Sequence, residues 1–577
     1  MISARSLSGG HQFKLKGPRI GTGLIKAPFF CYMKIKHLAG AAALLPLAAC
    51  SNKAVQQQPN IVFFLVDDFG WVDSSVQYGE ELYPYNLRFN TPNMQRLSER
   101  STVFGNAYAC AVSTPTRTSI MTGMNAAHTR ITNWTSAVRD TPSDATGGGF
   151  WMAEHKGSGD AAEGDVLSRP EWNMNGISPV PGVPYTQYAN SLVQYLKDAG
   201  YFTIHVGKAH WASAGTPGVN AYNHGFCVNI AGTMAGMPRD YSGLKNYGNT
   251  KERWNDFAVQ NLVEYYGTDT HLTDALTSEA LKALDYPIRH NQPFYLYMAS
   301  YATHTPIQPD ERFAQKYRDA GMDEGQAAYA SLVEGVDASL GRLLDFLDEK
   351  GIADNTIIIF MTDNGGNSEN AQKGGVPHTQ NKPLREGKGS NYEGGIRVPL
   401  MICYPGKTQV GRCGVPVICE DMFPTILDMA GVRSWTAVQD VDGQSILPLV
   451  TGVGDGPSPE RPLVFHYPHK WKPYDLEDID FLSAVRVGDW KLVYRIKEGV
   501  VACNERLYPD TRNTARAKAL ELYNLREDIG EEHNVAAEHP DITQRLAKTL
   551  SDKLRGWNAT MPIVVSTGKP APLPDEL

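Results

Sequence analysis

The chain has 577 residues, 42% hydrophobic and 20% charged, with 54 Gly and 36 Pro, a profile that fits a large globular protein with many loops and excludes collagen, coiled coil and wholesale disorder. This length predicts a large main domain with a smaller partner. The formal charge of -8 argues against a nucleic-acid binder built on a broad basic face, so an anionic ligand would need a local cluster of cations.

The first segment reads as an address rather than as fold. Met33 is followed by Lys34 and Lys36, then by the apolar run Leu38 to Ala49, and the segment closes on Leu47-Ala48-Ala49-Cys50. That is a basic region, a short apolar region and a small-residue cleavage site. The apolar run, about a dozen residues, is too short to stay in a bilayer as a permanent helix. Leu-Ala-Ala-Cys resembles the lipobox of bacterial lipoproteins, which implies that Cys50 is lipidated and becomes the mature N-terminus. Residues 1–32 then lie upstream of the true start, residues 1–49 are removed, and 50–58 form a polar tether. Removal takes away seven basic and no acidic residues and leaves a formal charge of -15. The expected location is periplasmic, anchored by lipid alone, with the cell surface as the second option.

Asn60 to Val66 is a continuous apolar run, which suits a strand buried on both faces of a parallel sheet. The same type recurs at Tyr201 to Val206, Phe294 to Ser300, Thr356 to Met361 and Val398 to Cys403. Between them, helices are predicted from Tyr188 to Ala199, ending at Gly200, and from Ala327 to Lys350, ending at Gly351. Strands alternating with helices give an α/β doubly wound sheet. Residues 134–185, rich in Gly, Ser, Asp and Pro, read as a surface insertion. After about Pro457 the pattern changes to short strands, Ser483 to Val487 and Trp490 to Tyr494, and a helix from Asp541 to Trp557. The expected division is 59–456 for the main domain and 457–577 for a smaller α+β part with an antiparallel sheet.

Polar residues fall just past the carboxyl ends of these strands: Asp67 and Asp68, Lys208 and His210, His304, and Asp363 with Asn364. In open α/β sheets that edge binds ligands, so residues far apart in sequence should converge there. Taken singly, each has an ordinary reading: an Asp after a strand is often a turn residue or helix cap. Their shared location is what points to a site. Three carboxylates and an amide oxygen suit a hard cation, Ca²⁺ or Mg²⁺. In Cys110 to Gly123, Pro115 fits the first turn of a helix, which puts Ser113 near an N-terminus that favours an anion and Arg117 on the same turn.

Ser113-Thr114-Pro115-Thr116-Arg117 matches the (Cys/Ser)-x-Pro-x-Arg core of the type I sulfatase signature, and other segments agree in order. Gly200 to Trp211 resembles the second signature. Asp67-Asp68, Thr362-Asp363-Asn364-Gly365, Gly387-Lys388-Gly389 and Glu393 to Pro399 resemble further family blocks, with weaker likeness at Ala484 to Tyr494 and Leu522 to Asn534. The resemblance implies an alkaline-phosphatase-like sandwich with a large, mixed, mostly parallel sheet flanked by helices. It also implies that a serine-directed maturase oxidises Ser113 to formylglycine, whose hydrate offers one hydroxyl to attack sulfur and another to expel sulfate. By the same resemblance Asp67, Asp68, Asp363, Asn364 and residue 113 would hold a divalent cation, Ca²⁺ before Mg²⁺. Arg117 would fix the formylglycine, Lys208 and Lys388 would neutralise sulfate oxygens, and His210 would assist the hydrate. His304, with Lys388, would protonate the leaving oxygen. The expected activity is removal of O-sulfate from a sulfated glycan, exo-acting on oligosaccharides, with no nucleic-acid partner.

Two other readings compete. A phosphatase or phosphonate monoester hydrolase of the same superfamily would need a second set of metal ligands that the sequence does not offer. A non-catalytic glycan-binding lipoprotein would leave the whole polar set without a task. The sequence departs from the family at Gly225-Phe226-Cys227, where many relatives have Gly-Phe-Asp. Trp134, Phe150, Trp151 and Trp172, and the stretch His466 to Trp471, could stack on sugars or equally pack the protein. Cys413 paired with Cys419 or Cys403 is a conceivable disulfide.

Overall fold

The computed structural model describes residues 58–135, 166–168, 170, 173–249, 257–368, 379–470, 477–503 and 512–577. The leader, Cys50, Phe150, Trp151, Trp172 and Trp471 lie outside the described residues.

In Asn60–Val66 (β1) every residue is buried. Successive side chains of a strand point to opposite faces, so Ile61, Phe63 and Leu65 enter one hydrophobic core and Val62, Phe64 and Val66 the other. A strand apolar at nearly every position needs cover on both sides. The same division runs through Thr356–Thr362, whose Ile357, Ile359 and Met361 join the first core and Ile358 and Phe360 the second.

Among the described residues the central sheet has eight strands. In chain order they are β1, Thr102–Phe104 (β2), Phe202–Gly207 (β3), Val228–Ile230 (β4), Phe294–Ala299 (β5), Thr356–Thr362 (β6), Leu400–Cys403 (β7) and Gly411–Cys413 (β8). Their spatial order is β8-β2-β7-β6-β1-β5-β3-β4. From β6 to β4 all neighbours are parallel, whereas β7 runs antiparallel to both β6 and β2. The apolar run that ends in Cys403 was expected to be parallel. Burial on both faces shapes such a run whichever way its neighbours point, so its direction was not readable.

Helices Ser113–Thr122 (α1), Leu192–Asp198 (α2) and Met422–Met429 (α5) line the first core; Leu272–Arg289 (α3) and Glu324–Glu349 (α4) line the second. α2 starts four residues later than its pattern suggested. Gln187 and Tyr188 instead pair as a short strand with Ile177 and Ser178, and the Ser191 hydroxyl caps the helix by accepting from the Gln194 amide.

The C-terminal region contributes Leu463–Lys470 (β9), Asp480–Val487 (β10), Trp490–Arg495 (β11) and Leu520–Asn524 (β12), a consecutive antiparallel sheet. Its Phe465, Ala484, Val493 and Tyr523 extend the first core, and Val464, Val485, Leu492 and Leu522 pack with Leu546, Leu550 and Leu554 of Pro540–Gly556 (α6). The conceived disulfides do not form: Cys403, Cys413 and Cys419 are free thiols. Cys403 faces the second core while Cys413 packs against the first, on the opposite side of the sheet.

Candidate active site

Because β6, β1, β5 and β3 are adjacent and parallel, their carboxyl ends share one edge. Asp67 and Asp68 leave β1 there, Lys208 and His210 leave β3, His304 follows β5, and Asp363 and Asn364 follow β6. The exit of β3 depends on Gly207, at φ +96°, where a Cβ would stand 1.8 Å from the Ala299 carbonyl oxygen. Asp68 itself lies at φ 54°, a left-handed conformation that Asp accepts more readily than branched residues.

α1 supplies the remaining pieces. Val112 is its extended cap residue, so Ser113 is the first helical residue and Pro115 sits in the first turn, as its fixed φ favours. Ser113 Oγ lies 3.2 Å from Asp67 Oδ1, 3.2 Å from Asn364 Oδ1 and 3.0 Å from Lys208 Nζ. Lys208 also donates to both oxygens of Asp67, at 2.9 and 2.7 Å. Arg117, fully buried, donates through Nε to Asp363 Oδ2 at 2.8 Å and through its first terminal nitrogen to the Lys208 carbonyl at 2.9 Å. Asn364 Nδ2 donates to Asp68 Oδ1 at 2.9 Å, and the Asp68 amide reaches Asp363 Oδ1 at 3.3 Å. Lys388 Nζ donates to Asp68 Oδ2 at 2.9 Å and lies 3.1 Å from His304 Nε2.

The structure thus gathers Asp67, Asp68, Ser113, Arg117, Lys208, His304, Asp363, Asn364 and Lys388 into one cluster. His210 contacts the residue after Ser113: its Nδ1 is 3.3 Å from Thr114 Oγ1, and its ring packs so closely on Gly236 that a Cβ there would come within 2.6 Å of it.

Three buried carboxylates face two buried cations, Arg117 and Lys208, and the part-buried Lys388, and their electrostatics diverge accordingly. Burial, reinforced by Asp363 alongside, pushes the Asp67 carboxyl up to about 8 despite Lys208. Burial also opposes charge on Asp68, but the Lys388 ammonium, with His304 and Lys208, outweighs it and holds that carboxyl below the usual range. Asp363 is likewise held down, burial being outweighed by Arg117 and Lys208. Burial pulls Lys208 below its ordinary value, and burial with Lys388 beside it takes His304 to about 3.

Some supporting residues carried no signal in the sequence. Thr303 fixes the strand exit, its amide donating to the Asp67 carbonyl at 2.7 Å and its hydroxyl lying 3.2 Å from the Asp68 carbonyl. Asn381 Nδ2 ties the Gly366 and Glu386 carbonyls together at 2.9 and 2.8 Å, shaping the loop that ends in Lys388. The Tyr241 hydroxyl lies between the carbonyl oxygens of Tyr301 and His304, at 2.9 and 2.8 Å, and shares its one proton with them. None belongs to a motif; only the fold brings each to its carbonyl.

The donor set fits a hard divalent cation. Carboxylate oxygens of Asp67, Asp68 and Asp363, the Asn364 amide oxygen and the Ser113 hydroxyl converge without a thiolate among them, which is the chemistry Ca²⁺ and Mg²⁺ select. Asp67, Asp68 and His304 each offer a ligand atom, all within 4.8 Å of one another.

Residues 59–432 match the family model described as sulfatase, and residues 458–569 match the C-terminal region of aryl-sulfatase. The chain belongs to the sulfatase family. It is a sulfuric ester hydrolase, as the resemblance at Ser113 to Arg117 implied. It is 28% identical over 569 residues to a sulfatase of Formosa agariphila, covering 89% of this chain and 91% of the relative. It is 26% identical to the N-acetylgalactosamine-6-sulfatase of Canis lupus familiaris, covering 88% of each chain. Among solved structures, Ps i-CgsB in complex with k-i-k-neocarrahexaose shares the fold at a TM-score of 0.62 and 24% identity, covering 86% of this chain and 93% of that one.

The described histidines of the stretch His466 to Trp471, His466 and His469 in β9, are held inside the protein. His466 bonds Ser483 Oγ and the Thr560 carbonyl, at 2.7 and 2.9 Å, and His469 Nε2 bonds Thr132 Oγ1 at 2.8 Å. Trp134 is half-buried against the first core. At the family departure, Phe226 is buried between Trp211 and His205, and the Cys227 amide donates to the Thr203 carbonyl at 2.8 Å, a role in local structure.

Proposed function

We propose that this sulfatase removes O-sulfate from a sulfated glycan, acting on the ends of oligosaccharides, with Ser113 oxidised to formylglycine and a divalent cation, Ca²⁺ first, held by Asp67, Asp68, Asp363 and Asn364. The observation that carries the reading is the position of the Ser113 side chain. Its oxygen is within 3.2 Å of a lysine ammonium, a carboxylate and an amide oxygen at once. A simple serine alcohol is a weak nucleophile with no histidine base on it. A hydrated aldehyde at that position supplies a hydroxyl that attacks sulfur and a second whose deprotonation expels sulfate.

A bound divalent cation would supply Lewis-acid polarisation of a sulfate oxygen and of the nucleophile. The chain's own groups do the rest. Arg117 bridges Asp363 and the Lys208 carbonyl and so fixes the floor under residue 113. Lys208 places its charge beside the attacking oxygen, and Lys388 places its charge at the rim beside His304. When the S–O bond to the sugar breaks, the sugar oxygen must take a proton, and His304 with Lys388 is the pair placed to give it. With all three carboxylates ionised, as a bound cation would hold them, Asp67, Asp68 and Asp363 balance Arg117, Lys208 and Lys388 in charge. Adding a divalent cation therefore leaves the pocket positive, which suits an anionic sulfate ester in an otherwise acidic protein.

The glycan class is supported by the relative that acts on N-acetylgalactosamine-6-sulfate by name. The domain division at 456/457, the lipid on Cys50, the periplasmic location and the serine-directed maturase are part of the same proposal. Peptide mapping of active enzyme tests its centre: the Ser113 peptide should be about 2 Da lighter, the loss of two hydrogens that alcohol oxidation requires. Full activity with an unmodified Ser113 would sink the mechanism. A screen against sulfated mono- and oligosaccharides then tests the substrate class.

A further inference from the structure

The loop that delivers Lys388 is held from outside the catalytic sheet. On the sheet side two backbone bonds fix it, from the Lys388 amide to the Gly366 carbonyl and from the Gly389 amide to the Ala111 carbonyl, at 3.2 and 2.8 Å. On the other side Arg385, Ser390 and Asn391 are tied to the C-terminal region. Arg385, three residues before Lys388, donates to Asp478 Oδ2 at 2.8 Å, to the Tyr523 hydroxyl at 3.1 Å and to the Glu531 carbonyl at 3.0 Å. Its guanidinium lies 3.9 Å above the Tyr392 ring. Ser390 Oγ donates to the Asp478 carbonyl at 2.6 Å, and Asn391 Nδ2 donates to the Leu482 carbonyl at 2.9 Å.

We propose that Arg385 and Asp478 are positioning residues for the sulfatase reaction: the C-terminal region holds Lys388 at the site through this pair. The inference rests on the proposed role of Lys388. Arg385 suits the task because a planar guanidinium satisfies three acceptors and a ring face together, which fixes direction as well as distance. Asp478 anchors the loop on both sides of Lys388, by its carboxylate to Arg385 and by its carbonyl to Ser390. The span between these anchors is too short to let Lys388 swing while both hold. Neither residue touches the carboxylate cluster, so both act through Lys388.

The test uses the mature, full-length enzyme and a sulfated sugar. Asp478→Asn should lower kcat about tenfold, and Arg385→Gln up to about a hundredfold, because displacement of a catalytic group by about 1 Å costs that much. KM and the thermal midpoint should move little by comparison. Arg385→Lys should recover part of the loss, since it keeps the charge and one contact. In a double-mutant cycle, adding Arg385→Gln to Lys388→Ala should cost almost nothing further. Full additivity of the two changes, or loss of kcat only in proportion to unfolded protein, would overturn the proposal. If Lys388→Ala is impaired while Arg385→Gln and Asp478→Asn are not, the positioning role alone fails. If Lys388→Ala is itself fully active, the reading of Lys388 fails and takes this one with it.

Discussion

The sharpest test of the site separates Lys208 from His304 by the leaving group. Lys208 has no exposed side-chain surface, and its ammonium lies 3.0 Å from Ser113 Oγ. On the proposed mechanism it acts where charge develops on the transferring sulfuryl group, which is common to all substrates. Lys208→Met keeps the stem and removes the charge, so kcat/KM should fall about 10²–10³-fold, the usual effect of deleting one preorganised electrostatic donor, and by the same factor on nitrophenyl sulfate and on a sugar sulfate. His304 stands at the rim with 13% of its side chain exposed, 3.1 Å from Lys388, where the proposed mechanism has it meet the departing oxygen. A sugar alkoxide must be protonated as it leaves, whereas a nitrophenolate departs almost unaided. His304→Ala should therefore cost about 10²–10⁴-fold on the sugar sulfate, and less than about tenfold on the aryl one. In free energy the two substrates should differ by at least about 1.4 kcal/mol in their response. The assay is steady-state kinetics on both substrates, corrected for formylglycine content by peptide mass. Equal losses on the two substrates for His304→Ala would refute the assignment of a leaving-group role.

Other consequences can be checked separately. Asp363→Ala should lose bound metal and turnover together, because one of few anionic ligands leaves a hard-cation site; metal analysis of the purified variant decides it, and unchanged turnover after exhaustive chelation would count against any metal role. At the junction with the C-terminal sheet, Lys491 is fully buried between Glu393 and Glu531, at 2.9 and 2.7 Å. Lys491→Met should cost about 3–5 kcal/mol at pH 8.5, the usual loss when one partner of a buried pair is removed, measured as the urea midpoint. Glu531 is pushed up to about 7, chiefly by burial. Its contribution to wild-type stability is therefore present below about 4.5 and is lost as pH rises through about 7. Without Lys491 that loss deepens, so the variant should sit closer to wild type at pH 5.5; a gap that widens toward acid would contradict this. A fatty-acid probe should label the wild type and leave Cys50→Ala unlabelled, since stable anchoring needs acyl chains on that residue.

How much could be read beforehand follows from what each feature depends on. The strands at Asn60, Phe294 and Thr356 were legible because burial on both faces leaves a run of apolar residues that no loop needs. Their carboxyl ends then pointed to Asp67, Asp68, Asp363 and Asn364 without any geometry. The direction of Leu400–Cys403 was not legible, since parallel and antiparallel neighbours demand the same side chains. Nor was the late start of α2, where Gln187 and Tyr188 were taken by a strand pairing that competes with a local helical pattern. Thr303, Asn381 and Tyr241 escaped notice for a related reason. Each works through a backbone carbonyl, and a carbonyl has no signature in sequence.

The division of labour at the site has the same origin. Groups that must be rigid, Asp67, Lys208, Asp363 and Arg117, leave buried strand ends or the first turns of a helix, and all have no exposed side-chain surface. Their positions are fixed by the sheet that the apolar runs build. Lys388 and His304 sit on loops at the rim, where the leaving group varies from substrate to substrate, and loops tolerate such variation better than strands do. A lysine on a loop needs an external brace if it is to act at a fixed distance. The C-terminal region lies beside that loop: Asp478, in the turn before β10, and Glu521 and Tyr523 of β12 meet Arg385 and Tyr392 there. On the proposed reading the C-terminal region shares with the sheet-side bonds of Lys388 and Gly389 the task of placing that lysine.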